Sequence, residues 1–165
     1  MKTRLFEKRG TWLVTGVLLG LAVATYWPAE EAGAHAVDHT NKIALVSAET
    51  TPGNSDAVFI LDFVTGRLIG AAYNTQISTF NQKYFRNVAA DFKVSENAQY
   101  AIVPAHVSIP QRGGGPTPAL GGLYIAELTT GKVALYGYGY NETPGRQGVM
   151  PLVLVDGFEF REVQE

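Results

Sequence analysis

Asp62 and Glu127 hold the same place in two matching stretches, "LDFVTGRLIG" at 61–70 and "AELTTGKVAL" at 126–135. Paired carboxylates can do general acid–base work, but only when the fold sets them on either side of one reacting bond. Here each stands ahead of its own Thr-Gly pair, Thr65-Gly66 or Thr130-Gly131, and nothing in the spacing brings the two pairs together. A carboxylate beside a turn bonds the amides of that turn, so both are read as structural. "HAVDH" places His35, Asp38 and His39 at helical spacing. A structural metal site wants four ligands and this stretch reads as linker, so no metal or other cofactor is expected. His106, in "PAHVSIP", has no chemical partner beside it in sequence and is expected on an edge or partly buried strand. No nucleophile–base arrangement, Walker-type phosphate loop or dinucleotide fingerprint is present. An enzyme is therefore the least favoured class.

Two stretches exceed what a plain scaffold needs. In "QRGGGPTPALGG", Gly113, Gly114 and Gly115 follow Arg112. Successive glycines can turn backbone amides toward an anion, although the loop leads into a strand rather than a helix. In "YGYGY", Tyr136, Tyr138 and Tyr140 alternate with glycine, which puts all of them on one face of a strand. An exposed face of that kind suits stacking on a sugar, or contact with another chain. Arg112, the three glycines and the three tyrosines are the candidate binding residues. Core or interface packing of the tyrosine face, with the glycines letting another element approach closely, outweighs ligand stacking. An exposed face would meet another chain or a ligand.

The elements that must position them are mostly strands. "KIALVSAE", "AVFILDF" and "RLIGAAY" are β-compatible runs separated by "TPGNSD" and by the corner at Gly66, which can adopt positive φ. The order returns in "QYAIVPAHV", "GLYIAEL" and "KVALYGYGY", about Gly131. Ala44, Val46 and Ala48 match Ala101, Val103 and Ala105, while Ile60, Thr65, Gly66 and Tyr73 match Ile125, Thr130, Gly131 and Tyr138. This predicts a duplicated strand–hairpin unit, residues 42–74 and 99–139. Between the copies, Phe80, Tyr84, Val88 and Phe92 recur every four residues behind a capping box of Thr79 and Gln82, which predicts one helix over 79–92. "MPLVLVDGFEF" is expected as a closing strand with a turn or bulge at Asp156-Gly157.

The hairpins "VFILDF"–Thr-Gly–"RLIG" and "LYIAEL"–Thr-Gly–"KVAL" resemble blades of the quinoprotein-like β-propeller families. A full propeller has roughly 4–8 blades, and no quinone or metal residue carries over. As a whole the chain also resembles a family of small, N-terminally anchored bacterial exported proteins. That resemblance implies export and no particular chemistry.

The N-terminus points the same way. "MKTRLFEKRG" is a basic flank, and residues 11–27, "TWLVTGVLLGLAVATYW", carry no charge. The stretch fits a signal peptide with small-residue exits at Ala22-Val23-Ala24 or Ala34-His35-Ala36. It equally fits a short signal-anchor, with Trp12, Tyr26 and Trp27 at the interfaces. Either reading places the C-terminal part outside the cytoplasm, tethered to the membrane through 11–27 or secreted after cleavage. Residues 1–27 are thus the targeting segment, 28–41 a linker, and 42–165 an exported domain. The fold class expected is mainly β (α+β), an antiparallel sheet with one intervening helix and a hydrophobic N-terminal helix. The chain has no cysteine and a net charge of −2, and its basic excess lies in the N-terminal flank. Without a disulfide the domain must rest on burial, and without a basic stripe nucleic acid is no partner. The expected function is an envelope interaction or scaffold module contacting a protein partner or its own copies. The second expectation is a small-ligand or carbohydrate module.

Overall fold

The computed structural model describes residues 12–22, 42–94, 97–110, 115–143, 145 and 147–161, and the backbone of 37–39. The chain divides into two units, Met1–Ala34 and His35–Glu165. In the first, residues 12–22 form helix α1, whose apolar side chains, Leu13, Val17, Leu18 and Leu21 among them, are exposed. No helix among the described residues is long and apolar enough to cross a membrane. Residues 11 and 23–27 of the expected hydrophobic helix lie outside the described residues.

The second unit is β-rich. Its strands are β1 (Val37–His39), β2 (Ile43–Ala48), β3 (Ala57–Asp62), β4 (Arg67–Asn74), β5 (Thr79–Asn87), β6 (Tyr100–His106), β7 (Thr117–Glu127), β8 (Lys132–Tyr140), β9 (Val149–Pro151) and β10 (Val153–Glu159), with helix α2 (Val88–Phe92) after β5. One sheet runs β1-β2-β3-β4-β5-β9 and the other β10-β8-β7-β6. Every pairing is antiparallel except β5 with β9.

Alternation in the sequence sets the inner faces. Ala44, Val46 and Ala48 of β2, Ala57, Phe59 and Leu61 of β3, and Leu68 and Ala72 of β4 are buried. They share one core with Leu123 and Ile125 of β7 and Ala134, Tyr136, Tyr138 and Tyr140 of β8. The Tyr138 ring meets Phe59 edge-on at 4.9 Å and Tyr84 at 5.2 Å, a favourable aromatic geometry. Backbone bonds from Leu120 to Thr50 (2.7 Å) and from Gly121 to Glu49 (2.9 Å) join β7 to the segment after β2.

The helix expected over 79–92 is corrected by the structure: Thr79–Asn87 is strand, and only Val88–Phe92 is helical. A spacing of four residues is a multiple of two as well as near one helical turn, so the stripe alone cannot separate the periods. What decides is the company of the inward side chains. Tyr84 donates its hydroxyl to the Gly139 carbonyl at 2.9 Å, and buried Gln82 accepts from the Asn141 amide at 3.1 Å. An extended β5 reaches across to β8 in this way. The helix is capped by Asn87, which accepts from the Ala90 amide, and not by Thr79. The closing strand is likewise two strands, β9 and β10, with buried Leu152 between them. Its irregularity falls between Leu154 and Asp156.

The two three-strand meanders, β2-β3-β4 and β6-β7-β8, pair in equivalent registers. Ile43 pairs with Asp62 as Tyr100 pairs with Glu127, and Asp62 faces Arg67 as Glu127 faces Lys132. Gly66 and Gly131 sit at the corners with φ of 62° and 74°. The faces turned to the core are opposite, however. Phe59 is buried where its match Tyr124 is exposed, and Ile60 is exposed where Ile125 is buried. The correspondence is one of register and corner.

Candidate functional site

The tyrosine face comes first. Tyr136, Tyr138 and Tyr140 do share one side of β8, but that side is the core, with exposures of 0%, 2% and 0%. Core packing is therefore what the tyrosines do, and the alternative, an exposed face that meets another chain or a ligand, is corrected. The glycines between them lie on the other side, against Ile109 and Pro116. Tyr138 donates to the carbonyls of Ala48 (2.9 Å) and Glu49 (2.6 Å). Tyr136 donates to Asp91 at 2.9 Å, and Asp91 holds Arg86 through two bonds of 2.7 Å. Burial pushes the phenols of Tyr84, Tyr136 and Tyr138 up, out of reach of ordinary titration. Tyr84, Tyr136 and Tyr138 are core residues with satisfied polar tips, whereas the buried Tyr140 hydroxyl has no hydrogen-bond partner among the described residues. Of the Gly-rich loop, Arg112, Gly113 and Gly114 lie outside the described residues, and Gly115 is exposed.

The two carboxylates serve their own corners. Asp62 accepts from the Val64 amide (2.9 Å) and the Thr65 hydroxyl (2.6 Å). Glu127 accepts from the Thr130 amide and hydroxyl (both 2.6 Å), and from the amides of Thr129 (3.0 Å) and Gln99 (3.1 Å). Burial pushes the Glu127 carboxyl up, but these donors together outweigh it and hold it at about 2. At Asp62 the Thr65 hydroxyl, then the Val64 amide, hold the carboxyl below its usual value.

His106 stands exposed on the edge strand β6, with Nδ1 3.8 Å from Glu49 Oε2. Asp38 and His39 lie on β1, and His35 is outside the described residues. Among the described residues no three His, Asp or Glu side chains cluster for a metal ion.

The feature that stands out is the outer face of the larger sheet. Leu45, Ile60, Ile69 and Phe85 are successive cross-strand partners on β2, β3, β4 and β5. Phe85 in turn faces Pro151 of β9. The four side chains are 44%, 43%, 54% and 42% exposed. At about 4.8 Å per strand they form a ridge about 14 Å long, and Ile43 extends the apolar surface at the β2 end. The next rows carry Arg67, cross-strand from Asp62, and Lys83, cross-strand from Ala71. The matching inner row is Val46, Phe59, Gly70 and Tyr84, so the sheet is apolar on both sides at this level. Sequence reading passed over the ridge, although its signal was present. "VFIL" and "RLIG" are apolar at both parities, the mark of a sheet covered on both faces.

Beyond the ridge, the start of β5 and the segment entering β9 enclose a cleft. Thr79, Phe80, Asn81 and Lys83 form one wall, and Gln147 and Val149 the other. Two bonds brace these walls. The Gln147 amide donates to the Asn81 carbonyl at 2.9 Å, and Asn81 Nδ2 donates to the Gly145 carbonyl at 3.2 Å.

Compared with known proteins, the chain matches no family model, no curated protein and no solved structure.

Proposed function

We propose that this chain is a membrane-tethered, extracytoplasmic interaction module, as its resemblance to anchored exported proteins implies, and that the outer face of the larger sheet binds another protein. The observation that carries the reading is the half-exposed row Leu45, Ile60, Ile69 and Phe85. Single exposed apolar residues are ordinary, whereas a contiguous apolar patch in register across four strands marks a contact surface. Lys83 on one flanking row favours a partner with an acidic group at that edge, while on the other row Arg67 is balanced by Asp62. The tether is residues 11–27, and the uncharged helix 12–22 with exposed leucines supports it. The two meanders are read as descendants of one duplicated unit. Their shared registers and Thr-Gly corners support this, with one copy now presenting its opposite face to the core. The double variant Ile60→Asp/Ile69→Asp tests the interaction. Purified from its own envelope, it should lose the protein that accompanies the wild type while keeping its melting temperature. Retention of that protein by the variant refutes the reading.

A further inference from the structure

The cleft beside the ridge encloses about 500 Å³, within the usual span of about 300–1,000 Å³ for small-ligand sites. Its chemistry is uneven in a telling way. Phe80 is 59% exposed, and Tyr73 holds its ring edge-on at 5.5 Å and 74°. A large aromatic ring fixed in position and still open to water offers a flat apolar platform. The Lys83 side chain makes no hydrogen bond or ion pair among the described residues, and the Lys83 backbone is paired with Ala71 of β4 and Val149 of β9. Thr79 and Gln147 add a hydroxyl and a side-chain amide, each able to donate and accept. Among the described residues no Asp or Glu lines the walls, so none of them would balance a ligand's ammonium group.

We propose that this cleft binds an acidic saccharide, a pyranose unit carrying a carboxylate. The C–H face of the sugar ring lies on Phe80, its hydroxyls meet Thr79 and Gln147, and its carboxylate meets Lys83. Each partner is needed to account for the walls. A neutral sugar leaves Lys83 unused, a simple anion leaves Phe80 unused, and an amino acid brings a cation with no counter-charge. A densely charged polyanion is disfavoured by the acidic balance of a chain whose net charge is −2. The cleft shares Lys83 with the rim of the ridge, but none of Leu45, Ile60, Ile69 and Phe85 lines it.

The test is titration of the full-length chain in detergent with trigalacturonate and with a neutral trisaccharide, read by calorimetry. A charge-assisted contact is worth about 1.5–3 kcal/mol, so the acidic sugar should bind about tenfold tighter or more. Lys83→Gln should abolish that preference and Lys83→Arg should retain most of it. Phe80→Ala should weaken both sugars, while Ile60→Asp/Ile69→Asp should change neither. Absence of saturable binding by the folded wild type overturns the proposal. So does binding that ignores the substitutions at both Lys83 and Phe80.

Discussion

Glu127 shows how one side chain can organise a corner. Buried on the inner face, it gathers the amides of Thr129 and Thr130 from its own turn and that of Gln99 from the start of β6. Glu127→Gln keeps the shape and removes the charge that strengthens those bonds. It should cost about 1–3 kcal/mol in urea unfolding. The pH dependence follows from the direction of the shift. The folded carboxyl sits at about 2 against an ordinary 4.5, so its stabilisation is complete above pH 4.5 and is lost as pH falls toward 2. Acid melts of the Gln variant should therefore lose less stability across that window than melts of the wild type. Asp62, on a more exposed corner with fewer donors, should show the same sign and a smaller effect. Both structural roles were legible from "DFVTG" and "ELTTG", because turn chemistry is local. The fate of the tyrosines was not. Alternation places Tyr136, Tyr138 and Tyr140 on one face, but only the facing sheet, with Phe59 and Tyr84, decides that this face is the core. Tyr138→Ala should accordingly lower stability by about 3–5 kcal/mol, a large fall in melting temperature.

Elements are distinguished by what they must accommodate. Gly66 and Gly131 occupy equivalent corners at positive φ, where any side chain costs about 1–2 kcal/mol. Their surroundings differ. A methyl at Gly66 would overlap Ala89 and the Tyr100 hydroxyl, because the Gly66 carbonyl also accepts the first amides of α2, those of Val88 (2.9 Å) and Ala89 (3.3 Å). At Gly131 the atoms nearest the methyl are the Cβ, Cγ and Cδ of exposed Arg161, whose outer part can move, with no backbone atom among them. Gly66→Ala should therefore lower the melting temperature more than Gly131→Ala, and equal losses would mean that φ alone matters. The sequence showed both corners, since a glycine after threonine between two β runs has few other uses. It did not reveal that one corner seats a helix, which requires residues distant in the chain to meet. The same limit explains β5. Its stripe fits both periods, and its inward partners, Gly139 on β8 and Asn141 just after it, lie far along the sequence. The ridge failed to register for a different reason. Ile60 and Ile69 were read together with their buried neighbours as generic strand residues, though apolar character at both parities already implied two covered faces.

At the scale of the whole molecule, the proposal joins a tether to an adhesive sheet. Leu18→Asp/Leu19→Asp should release the chain from the membrane fraction, since each charge costs about 2.5–3.5 kcal/mol at the centre of a spanning helix. Membrane retention of that variant would remove residues 11–27 as the tether. The central claim is that the outer face of the larger sheet is occupied in the envelope. The smaller sheet offers an internal control, because Val103 on β6 is also half exposed, at 50% against 54% for Ile69. The most direct measurement places a photo-crosslinking amino acid at Ile69, and separately at Val103, in the full chain within intact cells. The account predicts one discrete crosslinked protein from Ile69, absent from Val103 and abolished by Ile60→Asp. No product from Ile69, or the same products from both positions, would contradict it.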